Sequence, residues 1–244
     1  MVLLSVALRE RVLVVEHERD AGPEMFGRWL AAAGVAVDIC RPYAGDELPE
    51  SLDHGGLMVL GGSMGACDDA AVPWLARVRS MLAEASSSRR PVLGICLGAQ
   101  MLAAACGGKV EPSPSGGELG LGRIDLNDES RRDRLFAPMA SPVEAAQWHD
   151  DEITELPAGA VLLGSSARCS VQAFRVADRA WGVQFHPEAS GAVMQAWAEA
   201  EHSLPPARLR QVQLAISAVR AAEERLFEYW RGFAERFAAI VKEG

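Results

Sequence analysis

Apolar β-branched runs alternate with stretches of helical periodicity through the first part of the chain. Residues 11–16 (RVLVVE) read as a buried strand, and residues 23–34 (PEMFGRWLAAAG) as a helix opened by proline and closed by glycine, with Met25, Phe26, Trp29 and Leu30 on one side. Residues 35–40 (VAVDIC) are a second strand, and residues 56–62 (GLMVLGG) a third that ends in a glycine turn. Residues 72–84 form a helix with Trp74, Leu75, Val78 and Leu82 at helical spacing, followed by a loop at 85–91 (ASSSRRP). A fourth strand, 91–95, runs into a helix at 97–105 that Gly107 and Gly108 terminate. Strands alternating with helices imply an α/β fold with a doubly wound, mostly parallel central sheet flanked by helices.

The pattern changes after residue 109. Segments 118–127, 145–153, 159–166, 170–176 and 180–185 follow one another with turn signals and little helix, and they predict an added antiparallel or mixed strand region. Helices close the chain from about residue 189. From 205 to 241 the apolar residues Leu209, Val212, Ile216, Val219, Ala222, Leu226, Trp230, Phe233, Phe237 and Ile240 recur every third or fourth position. This is one stripe on one long helix or two consecutive ones, packed on the sheet or offered to a partner such as a second copy in a homodimer. The expected division is one α/β domain over 1–204 with a helical extension over 205–244 packed on it.

At 244 residues the chain is long enough for a core without metal or disulfide staples. A formal net charge of −9 argues against nucleic acid or an anionic membrane as partner and favours a small-molecule substrate. The five cysteines are odd in number and form no CxxC pair, which suits reduced thiols in a cytoplasm better than a disulfide framework or a zinc site. The opening residues MVLLSVALRERVLVV read as a ragged start before a strand rather than a signal peptide, because the apolar part is short and its charges follow it. No apolar run has the length of a membrane span.

One cysteine stands apart. Cys96 lies between strand and helix in VLGICLGAQ, flanked by Gly94 and Gly98. In open α/β sheets reactive groups gather at the carboxyl ends of strands, and glycines relieve crowding where a strand turns sharply into a helix. The helix N-terminus would favour a thiolate, and its first amide, that of Leu97, can bind an oxyanion. A small buried core residue would also explain a cysteine here. Cys40, Cys67, Cys106 and Cys169 read as structural. Of the histidines (His17, His54, His149, His186 and His202), His186 closes the strand AWGVQF and is followed by Pro187 and Glu188. Glu188 can reach back to orient the imidazole of a general base.

Taken together, GICLGAQ and the later HPE resemble a class I, triad-type glutamine amidotransferase domain, of the stand-alone kind similar to the amidotransferase half of GMP synthase. LGGSMGACDD, EAAQWHDDEI and SVQAFRV match in order, so the resemblance covers about residues 11–200. It implies attack of the Cys96 thiolate on the side-chain amide of glutamine, protonation of the leaving ammonia by His186, and hydrolysis of a γ-glutamyl thioester. It also implies an oxyanion hole from the amides of Gly62 and Leu97, substrate contact by Gln100, and reading of the amino-acid end by the loop Gln147–Trp148–His149. No cofactor and no metal are expected. Two departures stand out: Ser63 replaces the proline of a G-G-P turn, and Asp150 replaces a glycine, where a carboxylate would repel a substrate carboxylate or attract an ammonium.

The sequence contains no ATP-binding loop of the G-x-x-x-x-G-K-[ST] type. Ammonia would therefore pass to a separate synthase subunit. The alternatives are a free-standing γ-glutamyl peptide or amide hydrolase or transferase, a related α/β cysteine enzyme, or a catalytically inactive regulatory binding protein.

Overall fold

A computed structural model describes residues 10–201 and 205–244; the start of the chain before the first strand, and His202, lie outside these. The parallel part of the sheet is built from β1 (Arg11–Val15), β2 (Ala36–Cys40), β3 (Gly56–Val59), β4 (Val92–Ile95) and β11 (Ala180–Val183), in the order β2-β1-β3-β4-β11. The sheet continues antiparallel through β10 (Ala173–Val176), β9 (Val161–Ser165), β6 (Glu118–Leu126) and β7 (Val143–His149). A separate ribbon pairs β5 (Lys109–Pro112) with β8 (Asp151–Glu155).

The continuous apolar runs are explained by burial on both faces. In β1, Val12 and Val14 join one core while Leu13 and Val15 join the other, as the two-residue period of a strand requires. The second core is covered by α2 (Leu75–Ser87) and α3 (Leu97–Ala105). The first is covered by α1 (Glu24–Ala32) and by α5 (Pro206–Lys242), a single uninterrupted helix. Its stripe from Val212 to Ile240 is buried, whereas Leu209 remains exposed. Trp230 lies at the centre of this contact. Its ring is 4.8 Å from that of Phe185 and its Nε1 donates to the Glu144 carbonyl at 3.1 Å. The remaining helix, α4 (Gly191–Ala200), is capped by the Ser190 hydroxyl, which accepts from the Val193 amide.

Three local readings change. Segment 180–185 belongs to the antiparallel run in sequence, yet β11 pairs parallel with β4 in the middle of the sheet. Segment 145–153 is two strands, since β7 ends at His149 and β8 starts at Asp151 in a different sheet. Helix α2 continues through the Ser-rich stretch read as loop, because Ala85 and Ser86 face the core.

Trp230→Ala is expected to lower unfolding stability by about 3–5 kcal/mol, the usual cost of truncating a buried aromatic, with a much smaller loss for Trp230→Phe. Urea unfolding followed by far-UV circular dichroism measures both.

Candidate active site

Cys96 is the junction between β4 and α3, and its backbone is strained, at φ 50° and ψ −107°. Its amide donates to the Val183 carbonyl at 2.8 Å, which ties the turn to β11. The flanking glycines are there because backbones touch. A Cβ on Gly98 would overlap the Val59 carbonyl of β3, and a Cβ on Gly94 would overlap the Gly98 carbonyl. The elbow therefore sits as close to the sheet as a helix can pack.

His186 follows the end of β11, and its amide donates to the Ala146 carbonyl of β7 at 2.8 Å. Its Nδ1 lies 2.7 Å from Glu188 Oε1, with both side chains buried. Burial alone would lower the His186 pKa. The Glu188 carboxylate and the Cys96 sulfur, which is hydrogen-bonded to the ring, outweigh it and raise the pKa well above the ordinary value. The sequence thus brings together Cys96, His186 and Glu188 around one cavity of about 470 Å³, which Gly61, Gly62 and Trp148 also line. A Cβ on Gly61 would stand 3.1 Å from His186 Cε1, and one on Gly62 would stand 3.0 Å from Leu97 Cδ2, so both glycines lie against the reactive groups.

The other residues expected at the site are engaged elsewhere. Gln100 Nε2 donates to the Asp151 carbonyl at 3.1 Å and to Gln184 Oε1 at 3.2 Å. Gln147 Nε2 donates to Gln172 Oε1 at 3.0 Å. His149 donates from Nδ1 to the Asp151 carbonyl at 2.9 Å and turns Nε2 toward Glu118, 3.4 Å away. None of these three side chains lines the cavity. The Asp150 carboxylate is 80 % exposed and turned toward Arg208, outside the cavity, so it brings no charge to a substrate there.

Three contributors were not singled out from the sequence. Gln184 is buried and points Nε2 at Cys96 Sγ, 3.6 Å away. Its signal is a polar residue inside the apolar strand AWGVQF. Trp197 of α4 packs its indole 4.7 Å from the His186 ring. Glu18 lines the mouth and accepts from both the Ser63 amide, at 3.1 Å, and the Ser63 hydroxyl. Serine in place of proline supplies that N–H.

A second cysteine, histidine and carboxylate also converge. Ligand-type atoms of Glu118, His149 and Cys169 lie within 4.8 Å of one another. Here Cys169 is fully buried, and burial pushes its thiol up to about 12, so the sulfur is a neutral donor to the Val171 carbonyl. Glu118 accepts from Ser166 and Gln172. This network braces the end of β6 against β7 and the turn before β10. His17, also buried, accepts from Trp74 Nε1 on Nδ1 at 3.1 Å, and burial holds its pKa down to about 4.

Among the described residues no helix is long and apolar enough to cross a membrane. The chain is 30 % identical over 161 residues to γ-glutamyl peptidase 3 of Arabidopsis thaliana, an alignment covering 64 % of each protein. It is 34 % identical over 179 residues to a glutamine-hydrolysing component of the GMP synthase of Natronomonas pharaonis, covering 73 % of this chain and 88 % of that component. A glutamine amidotransferase crystal structure from Thermotoga maritima superposes with a TM-score of 0.82 at 27 % identity, over 93 % of this chain and 97 % of the other. The family model for class-I glutamine amidotransferases matches residues 23–199, which include the elbow cysteine and its buried histidine–carboxylate pair, and the chain belongs to that family.

Proposed function

We propose that the protein hydrolyses γ-glutamyl amides, glutamine being the simplest, through a thioester on Cys96. The observation that carries this reading is the buried His186–Glu188 pair beside a sulfur held at a helix N-terminus and open to a cavity. Cys96 Sγ attacks the amide carbon, and the amides of Gly62 and Leu97 receive the oxyanion. His186 donates its proton to the leaving nitrogen as the C–N bond breaks, while Glu188 balances the imidazolium charge. His186 then takes a proton from water, which attacks the thioester and releases the γ-glutamyl group as glutamate. Gln184 donates to the sulfur and holds it toward the substrate. Gln100, Gln147 and His149 support the substrate loop through backbone and side-chain bonds, and Trp148 forms its wall.

A second reading, ammonia supply to a separate synthase chain, draws support from the likeness to the glutamine-hydrolysing GMP synthase component over most of its length. It requires glutamine as substrate and a partner docked near the Cys96 mouth. Five free thiols suit a reducing cytoplasm under either reading.

Cys96→Ala is expected to abolish glutamate release from glutamine and from a panel of γ-glutamyl amides and peptides. It should also abolish labelling by a thiol-directed glutamine analogue. Absence of both activities in the unaltered protein would sink the proposal. Rapid cleavage of amides other than glutamine favours the free-standing hydrolase. Slow cleavage of glutamine alone, with a co-purifying protein that accelerates it, favours the synthase reading.

Glu188→Gln is expected to cut kcat by about 10²–10⁴-fold, the usual worth of positioned acid–base catalysis. Burial would then act on His186 with less opposition, so the imidazole loses its proton at lower pH. The alkaline limb of the kcat/KM profile should move to lower pH.

A further inference from the structure

The walls of the Cys96 cavity carry one sign of charge. Glu18, Asp20 and Glu201 line it together with Glu188, and among the described residues no lysine or arginine does. Arg19, between two of these carboxylates in sequence, instead lines a separate cleft with Arg41 and Tyr43. Buried Glu188 presents one oxygen, Oε1, to His186 and leaves Oε2 without a hydrogen-bond partner. Facing these carboxylates are two indoles, Trp148 and Trp197, packed edge to face at 5.7 Å. Trp197 is fixed by its Nε1, which donates to the Asp20 carbonyl at 2.9 Å. Glu18 is fixed by both hydrogen bonds from Ser63. The acidic and aromatic groups are therefore held in place before any ligand arrives.

A cavity of about 470 Å³ lies in the size range that takes a whole small organic molecule. Carboxylates with aromatic faces attract cations, whereas a free carboxylate on the leaving side would be repelled. Taking the γ-glutamyl hydrolysis proposed above as given, we infer that the leaving group is an amine with a second, positively charged nitrogen: the substrate is a γ-glutamyl conjugate of a short aliphatic diamine. In the reaction, Sγ bonds to the γ-carbonyl carbon and the C–N bond breaks. The diamine leaves with the proton from His186, and water cleaves the thioester to give glutamate. The consumed water supplies the hydroxyl of glutamate and the proton that restores the resting pair, so atoms balance without any co-reactant.

Four probes share the same acyl group: glutamine, γ-glutamyl-(4-aminobutyl)amide, the neutral γ-glutamyl-pentylamide, and γ-glutamyl-4-aminobutyrate, whose tail is anionic. Glutamate release should show kcat/KM for the cationic probe about tenfold or more above the neutral one at low salt, with the anionic probe lowest. High salt should narrow the ratio, as screening demands. Glu18→Gln with Asp20→Asn should narrow it too. Because the ratio is taken on one enzyme preparation, partial unfolding of a variant does not mimic the effect. Equal or better cleavage of the neutral probe, with glutamate released from the whole set, overturns the inference and leaves the hydrolase reading standing. A cationic preference unchanged in the double variant overturns the role of these carboxylates. Release from none of the four overturns the hydrolase reading itself.

Discussion

The close approach of helix α3 to strand β3 is the constraint on which the site depends. Gly98 lies directly on the Val59 carbonyl, and Gly94 directly under the first turn of the helix. Only at that separation does Cys96 occupy the bend, at a positive φ that a side-chain-bearing residue adopts at a cost of about 1–3 kcal/mol. The surrounding sheet covers that cost, since β4 is paired on both sides and fully buried. A methyl group on either glycine would lift the helix, and with it the Leu97 amide and the sulfur.

The remaining parts are addressed to that bend from both sides of β4. On one side, the chain leaving β3 brings Gly61 and Gly62 over Cys96. On the other, β11 ends in Gln184 and His186. The face beneath is filled by α5, whose Trp230 packs on Phe185, the residue before His186. Helix α4 then returns across the mouth and sets Trp197 against the imidazole. A helix far along the chain and a helix next to the site thus hold the same histidine, one from below and one from above.

Two groupings of cysteine, histidine and glutamate occur in this molecule, and environment separates them. Cys96 opens on a cavity and shares a hydrogen bond with a histidine whose pKa is raised. Cys169 is sealed, its thiol held neutral by burial, beside a histidine committed to a backbone carbonyl. Residue type alone does not distinguish a nucleophile from a brace. Access for a ligand and the electrostatic field do.

The sequence by itself determined the alternation that builds the parallel sheet, the glycine-flanked elbow at Cys96 and the carboxylate two residues after His186. These are local features: strand period, backbone crowding and short-range reach operate over a few residues. It also carried the α5 stripe, because a helix buried on one side must repeat its apolar positions. Only the tertiary structure decided that β11 enters parallel beside β4, which sets His186 next to Cys96. Only it decided that Asp150 turns away while Glu18, Asp20 and Glu201 line the mouth, and that Gln184 meets the sulfur. Each of these joins residues far apart in the chain, and strand order and side-chain direction across a sheet leave no periodic trace in sequence.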